Sequence, residues 1–368
     1  MARFRGTFRA FVLVLIAFAA ADAQSRRVAP TPTPTPEPDE RVTTEEIKLN
    51  VLAFNPDGKF VGDVRDADLV ITENNILHQP ESVRRVPANV LIVMDTGGEL
   101  RSMKSIDQTR KVARAVAASL REGDSVALLN YSDKAEIAAE WTTDKKQISQ
   151  AVGRTKFGRK DAFADALKLS REFLTRSGLD NKHLVLITDG TDTVRGQSAK
   201  FDELQRLLAT DISVHVISYT AMEVEDIDPR TKAISKTPPP KAMPDEVAAQ
   251  LPNGVRDVAT APKIGPTINL DRTLLKKLRA RKAELQTAEE QLEQLAQNTN
   301  GEFILPESLD EMLDKAPLVA RMIDASYVVT YIPKIPLNEG SRERIIEVTS
   351  KREGLIVQAR RKLVVARQ

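Results

Sequence analysis

Four carboxylates dominate the chemistry this sequence could carry. Asp95 ends the apolar run Val90–Met94 and is followed by Gly97, Gly98 and Glu99. Asp161 follows Phe157-Gly-Arg-Lys160, and Asp189 follows the run Leu184–Ile187, with Gly190 and Asp192 beyond it. Runs that are apolar throughout, rather than alternating, suit parallel strands buried on both faces. Open parallel sheets bind ligands at the carboxyl ends of their strands, so the pattern brings Asp95, Glu99, Asp161 and Asp189 to one edge. Oxygen donors at that density suit a hard divalent cation, Mg, Mn or Ca, rather than zinc. Two alternatives stand beside the metal. The aspartates could cap the loops and helices that follow them, or Arg101, Arg159 or Lys160 could fold over the cluster as an internal counter-charge. With neither, the carboxylates would repel and raise one another's pKa.

Other chemistries fare worse. The chain has 368 residues, no Cys and 3 His, which excludes disulfides, thiol nucleophiles and Cys-ligated metals and leaves little for His-based catalysis. His78 falls in a turn, His183 just before a buried strand and His215 inside one. No Gly-x-Ser-x-Gly elbow occurs, and Gly97-Gly98 lacks the Lys of a phosphate-binding loop. Aromatic residues are 4%, too few for stacking platforms.

The elements that must position the carboxylates follow from hydrophobic period. Buried strands at Val90–Met94, Ser125–Tyr131, Leu184–Ile187 and Ile212–Ile217 alternate with helical patterns over 106–121, 148–152, 162–176 and 201–208, with an edge strand at 135–141. That rhythm predicts an α/β fold with a doubly wound, mostly parallel sheet. A stretch of about 222–266 holds eight Pro and no sustained period, and reads as a surface insertion. The helix predicted over 270–297 carries a seam of Leu274, Leu278, Leu285, Ala288, Leu292 and Leu295, interrupted by Arg281, and should pack on its own sheet. A short strand at 302–306 and a helix over 309–325 follow.

Both ends of this α/β region, assigned to 89–325, are β-like. Residues 43–88 alternate apolar and polar positions around the turns Asn55-Pro-Asp-Gly58 and Asn74-Asn75, and 326–368 does the same at 327–332, 344–348 and 355–360. Neither end has enough strands for a core; together they give about six, which predicts a small β-sandwich formed by both ends with the α/β region inserted. Ahead of them, residues 1–23 have basic Arg3, Arg5 and Arg9, an apolar run and Ala21-Asp-Ala23, the pattern of a cleaved signal peptide. Residues 24–42 are a Pro-rich linker expected to be extended. Loss of the leader's three Arg and one Asp takes the formal charge from +2 to neutral, which argues against nucleic acid as a partner. No later segment is apolar enough to span a membrane.

Val90–Glu99, Gly158–Leu167 and Leu184–Asp192 resemble the three loops of a von Willebrand factor type A (VWA) domain, with Asp-x-Ser-x-Ser in the first, Thr in the second and Asp before Gly in the third. Asn55-Pro-Asp-Gly58, Leu295-Ala-Gln-Asn-Thr-Asn-Gly301 and Tyr327–Pro333 resemble motifs of a bacterial exported VWA-related group. The resemblance implies a metal-ion-dependent adhesion site in degenerate form: Asp95 and Asp189 match its aspartates, while Gly97, Glu99 and Asp161 stand where it has hydroxyls. It implies a non-catalytic, adhesion-type module in the periplasm or outside the cell, binding a protein partner at the carboxyl edge, through a divalent cation where the carboxylates hold one. The alternatives are a metal-free scaffold that uses the 270–297 helix or the insertion for contacts and, third, a metal-dependent hydrolase, for which neither nucleophile nor leaving-group acid is evident.

Overall fold

Strand β5 (Asn89–Asp95) sets the architecture, because every side chain from Val90 to Met94 is fully buried. Val90, Ile92 and Met94 point to one face and Leu91 and Val93 to the other, as the two-residue period of a strand requires. The computed structural model describes residues 45–98, 106–176, 178–236, 250–261 and 265–365. The leader, the whole linker, Glu99 and Arg101 lie outside the described residues, as do 237–249 and 262–264 of the insertion.

β5 is flanked in parallel by β6 (Ser125–Tyr131) and β8 (Lys182–Thr188). Beyond β8 lie β9 (Ser213–Ser218) and β12 (Phe303–Ile304), also parallel, and β7 (Ala135–Thr142) closes the other edge antiparallel to β6. Helices α1 (Ile106–Ser119), α2 (Lys145–Arg154) and α8 (Leu309–Asp324) cover one face with Val112, Val116, Ile148, Met312 and Val319. Helices α3 (Phe163–Arg176), α4 (Gln197–Leu208) and α7 (Arg272–Asn298) cover the other with Phe163, Leu167, Leu204 and Leu292. The sheet is doubly wound and mostly parallel, as its sequence rhythm predicts. Each core aliphatic side chain contributes about 1.5–3 kcal/mol by leaving water.

The chain ends build two four-stranded antiparallel sheets rather than the six strands expected. One runs β15 (Ile356–Ala359), β1 (Ile47–Phe54), β13 (Ser326–Tyr331) and β4 (Ser82–Arg84); the other runs β16 (Lys362–Val364), β14 (Glu343–Ser350), β2 (Leu69–Glu73) and β3 (Ile76–His78). The extra strands are the three-residue β3 and β16, too short for alternation to reveal. Leu49, Val51, Val329, Leu69, Ile71 and Ile346 form the shared core. Arg344 is buried against Glu73, which also accepts from the Tyr331 hydroxyl at 3.2 Å.

The insertion begins later than its proline content suggests. Thr220–Ile227 is helix α5, with Met222 and Ile227 buried in it, where no regular element is expected from residue 222 onward. A ribbon of β10 (Ile234–Ser235) and β11 (Thr267–Ile268) and helix α6 (Asn253–Thr260) follow. Helix α7 packs on its own sheet through Leu292, Leu295 and Ala296, with Leu285 and Ala288 also buried, while Leu274 near its start is exposed. Just past its end, Asn300 takes the left-handed conformation at φ 59° that turns the chain out of the helix. Gly301 answers a different need, since a Cβ there would sit 1.8 Å from the Val214 carbonyl oxygen of β9. Gly301→Ala is expected to lower stability by about 1–3 kcal/mol, through backbone displacement at that contact, in urea unfolding.

At the amino ends of β8 and β9 the buried rings of His183 and His215 stack, with centroids 5.3 Å apart. The Glu302 amide donates to His215 Nδ1 at 3.1 Å, so His215 Nε2 carries the proton and donates to His183 Nδ1 at 3.0 Å; His183 Nε2 then donates to Asn181 Oδ1 at 2.9 Å. One continuous donor direction requires both rings neutral. Burial drives the His215 pKa down to about 3, and burial followed by the His215 ring drives His183 well below the usual value. In the unfolded chain both titrate near 6.5, so the unfolded state binds more protons between about pH 6.5 and 3 and stability falls as pH drops through that window. Each ring should steepen the decline by about 1.4 kcal/mol per pH unit. Unfolding free energies measured from pH 7 to 4.5 are expected to fall less steeply for His215→Gln than for the wild type by that amount.

Candidate functional site

Asp95 is the last residue of β5, Asp189 follows β8, and Asp161 precedes α3 at the same end of the sheet. All three are buried, at 1%, 0% and 3% exposure. They surround the phenol of Tyr131, the last residue of β6, whose pKa is pushed well above 10 first by burial and then by Asp95, Asp189 and Asp161. The phenol stays protonated and exchanges a 2.6 Å hydrogen bond with the Thr188 hydroxyl. Three of the four expected carboxylates are thus brought together; the fourth, Glu99, lies outside the described residues.

The loops that carry them are closed by their own side chains. Asp95 Oδ1 accepts from the Gly97 amide at 3.0 Å, and Asp189 Oδ1 accepts from the Thr191 amide at 2.8 Å, the same two-residue Asx closure at two strand tips. Asp192 accepts from the Ala164 amide at the start of α3 and from the amides of Val194 and Gly196. Asp161 and Thr193 exchange two bonds, amide to hydroxyl at 2.8 Å and amide to carbonyl at 2.9 Å, and the Gly158 amide donates to the Thr96 carbonyl at 3.0 Å. The three loops form one interlocked rim.

The Gly97-Gly98 pair has a steric cause. A Cβ on Gly97 would lie 2.0 Å from the Lys160 carbonyl oxygen and 2.9 Å from Asp161 Oδ1. A Cβ on Gly98, at φ +86°, would lie 2.9 Å from Asp161 Oδ2. The Asp161 carboxylate fills the space that side chains of the first loop would need.

The counter-charge comes from a place far along the chain. Arg281 of α7 reaches the rim with its side chain 16% exposed. Its Nη2 donates to Asp189 Oδ2 at 2.9 Å and to Glu223 Oε2 of α5 at 3.1 Å, and its Nη1 donates to Thr191 Oγ1 at 2.9 Å. The Thr191 hydroxyl passes its own proton to Asp189 Oδ1 at 2.8 Å, so both oxygens of Asp189 are held by protein donors. Burial alone would pull the guanidinium pKa down, but Asp189, Glu223 and Glu284 outweigh it and hold the pKa above the ordinary arginine value. A second cation, Lys200 of α4, is fully buried and donates to the Gly190 carbonyl at 3.0 Å. Burial lowers its pKa, against the pull of Glu284, Asp189 and Asp192.

Two of the three expected counter-charges, Arg159 and Lys160, are elsewhere, and Arg101 lies outside the described residues. Arg159 and Lys160 are exposed and offer their backbone amides to Asp133, at 3.2 and 2.9 Å. Arg281, Glu223, Lys200 and Thr191 are the residues the linear pattern does not assign to the site. Arg281 alone leaves a signal, a charge within the apolar seam of α7. Glu223 falls where the prolines suggest irregular chain.

The described residues do not fit a divalent cation. Gly97 has no room for the hydroxyl ligand of the VWA pattern, Asp189 is saturated by Thr191 and Arg281, and among the described residues no three Asp, Glu or His side chains are placed to hold a metal.

Residues 90–191 match the family model for the von Willebrand factor type A domain. The matched segment runs from β5 through the third loop, and the sheet it contributes to has the VWA fold. Domains of this family are protein-interaction and adhesion modules, mostly non-enzymatic and some metal-dependent, and this chain carries one. Solved structures of similar fold include manganese-loaded TRAP protein of Plasmodium vivax, 13% identical over 40% of this chain and 61% of that one with a TM-score of 0.33. BatB of Bacteroides thetaiotaomicron is 14% identical over 64% of this chain and 98% of that one, with a TM-score of 0.37. The vWF domain of the type V pili tip protein Mfa5 of Porphyromonas gingivalis is 20% identical over 30% and 40%, with a TM-score of 0.27. A comparison with curated proteins finds no match.

Restoring the hydroxyl of the VWA pattern should harm this loop. Gly97→Ser is expected to lower stability by about 1–3 kcal/mol in chemical unfolding, because backbone and Asp161 occupy its side-chain space.

Proposed function

We propose that the protein is a non-catalytic, exported interaction module that holds a protein partner at the carboxyl edge of its VWA sheet. The observation that supports this reading is the interlocked rim, in which three loops carrying buried charge are fixed to one another and to a rigid sheet. A preformed rim of that kind presents its outer residues without a cost of ordering on binding. The basic, apolar and small-residue pattern of residues 1–23 supports export, with the Pro-rich linker as tether, to the periplasm or the cell exterior. Among the described residues no helix is long and apolar enough to cross a membrane. A neutral mature chain argues against nucleic acid as partner.

One observation favours a second reading, the scaffold that uses the insertion. Ile234 and Ile268 face each other across the β10–β11 ribbon at 68% and 62% exposure, and Leu270 just beyond is 80% exposed. Exposed apolar clusters mark contact surfaces.

Photo-crosslinking separates the two. Lys134 in the β6–β7 turn and Val194 in the loop after β8 are exposed on the rim, Leu270 lies beside the ribbon, and Leu77 on β3 serves as control. With a photoreactive amino acid at each position in turn, expressed in the producing cell, adducts are expected at 134 and 194 and not at 77. Adducts confined to 270 would assign the contact to the ribbon and overturn the rim.

A further inference from the structure

We infer that Arg281 takes the cation's role at Asp189, so that the carboxyl edge of this VWA domain is assembled on a guanidinium of its own chain in place of a divalent metal ion. A single nitrogen, Nη2, bonds Asp189 Oδ2 at 2.9 Å and Glu223 Oε2 at 3.1 Å. Two carboxylates from different elements therefore converge on one point of positive charge, which is the arrangement a bridging ion would create. Asp189 is fully buried and Glu223 is 1% exposed, so neither charge has solvent to fall back on. Two ions cannot share the place: a divalent cation on Asp189 Oδ2 would meet a like charge at hydrogen-bond distance.

Arg281 also differs from a metal in where it comes from. It is anchored in α7, whose Leu285, Ala288 and Leu292 are buried against the domain, and a Cβ on Gly190 would lie 2.6 Å from Leu292 Cδ1. The helix that supplies the charge is thus packed directly on the loop that carries Asp189. The cation cannot dissociate, and chelators cannot remove it. The residues that perform the exchange, Arg281 and Glu223, both lie outside the 90–191 segment that matches the VWA model. The inference concerns the carboxylates alone and stands whether or not a partner docks at the rim.

The test uses the whole exported protein, with MnCl2 as probe and two readouts, the free-Mn electron paramagnetic resonance signal and the melting temperature. Wild-type protein is expected to leave the Mn signal undiminished and to melt at the same temperature in EDTA and in millimolar Mn. Arg281→Ala should melt several degrees lower, withdraw Mn from solution and regain part of the lost melting temperature when Mn is added, because two buried carboxylates lose the guanidinium nitrogen they share. Arg281→Lys should fold, melt between the two and remain indifferent to Mn. If Arg281→Ala does not fold, Arg281→Gln, which keeps a donor for Thr191, replaces it in both measurements. A wild-type melting temperature that rises with Mn, the rise being lost in Asp189→Asn, would overturn the inference. So would an arginine-free variant as stable as the wild type, or one destabilised but unmoved by Mn.

Discussion

Carboxylates clustered at the ends of adjacent strands cannot all stay ionised in a buried site unless a positive charge is held among them, and the rest of this structure is arranged around that requirement. Removing a carboxylate from water costs several kcal/mol, which is offset only by a well-placed cation and a full set of hydrogen bonds. At Asp189 Arg281 supplies a cation, and Thr191 completes the bonds. Because Glu223 shares the same guanidinium nitrogen, helix α5 is tied to the rim, and because Arg281 belongs to α7, that helix is tied as well. An arginine suits this place better than a lysine. Its planar fork reaches Asp189, Glu223 and Thr191 at once from a fixed orientation, whereas an ammonium is a point charge on a flexible stem. The nearby Lys200 is used in the simpler way, on one carbonyl oxygen.

The same charge logic explains the glycines. In the VWA pattern the first loop offers hydroxyls to an ion, but in this chain the Asp161 carboxylate occupies the volume above Gly97 and Gly98. Loss of the hydroxyls and gain of the acid at the second loop are therefore one steric event seen at two places. Asp161 in turn is held by its exchange with Thr193 in the third loop. Among the described residues, the members of the rim are packed so that a change of size in one meets another.

How much of this was legible depends on the range of each interaction. The runs at Val90–Met94 and Leu184–Ile187 identify central parallel strands because burial on both faces leaves a local signature, and the aspartates after them were legible for the same reason. The seam of α7 was legible because helix packing repeats every three or four residues. Helix α5 was not: Glu223, Glu225, Asp226 and Asp228 make it look like solvent-exposed chain, yet Glu223 and Asp226 are buried. A buried acid is intelligible only together with its cation, and here that cation lies 58 residues further on. Of the counter-charges expected from neighbours in sequence, Arg159 and Lys160 stay exposed and Arg101 lies outside the described residues, while the described structure brings one cation from a distant helix. The export signals and Glu99 lie outside the described residues, so their reading rests on the sequence alone.

The two ends of the parallel sheet solve the problem of buried ionisable groups in opposite ways. At the carboxyl end the groups keep their charge and the fold imports an arginine. At the amino end His183 and His215 give up their charge, and a one-way chain of donors from the Glu302 amide to Asn181 holds both rings neutral. The difference follows from what surrounds each site. The histidines lie where the parallel sheet meets the terminal β-sandwich, with Ser326 of β13 donating to the same Asn181 oxygen at 3.1 Å, and burial there disfavours a charged ring. The aspartates lie under a rim that faces outward and is packed by helices able to carry a cation. Buried carboxylates thus keep their charge at the carboxyl end, while at the amino end the two rings give theirs up and the remaining charges, such as Lys182 and Asp211 at 2.7 Å, are held as ion pairs. Buried carboxylates held charged in interlocked loops are the physical reason to look for a binding surface at the carboxyl edge.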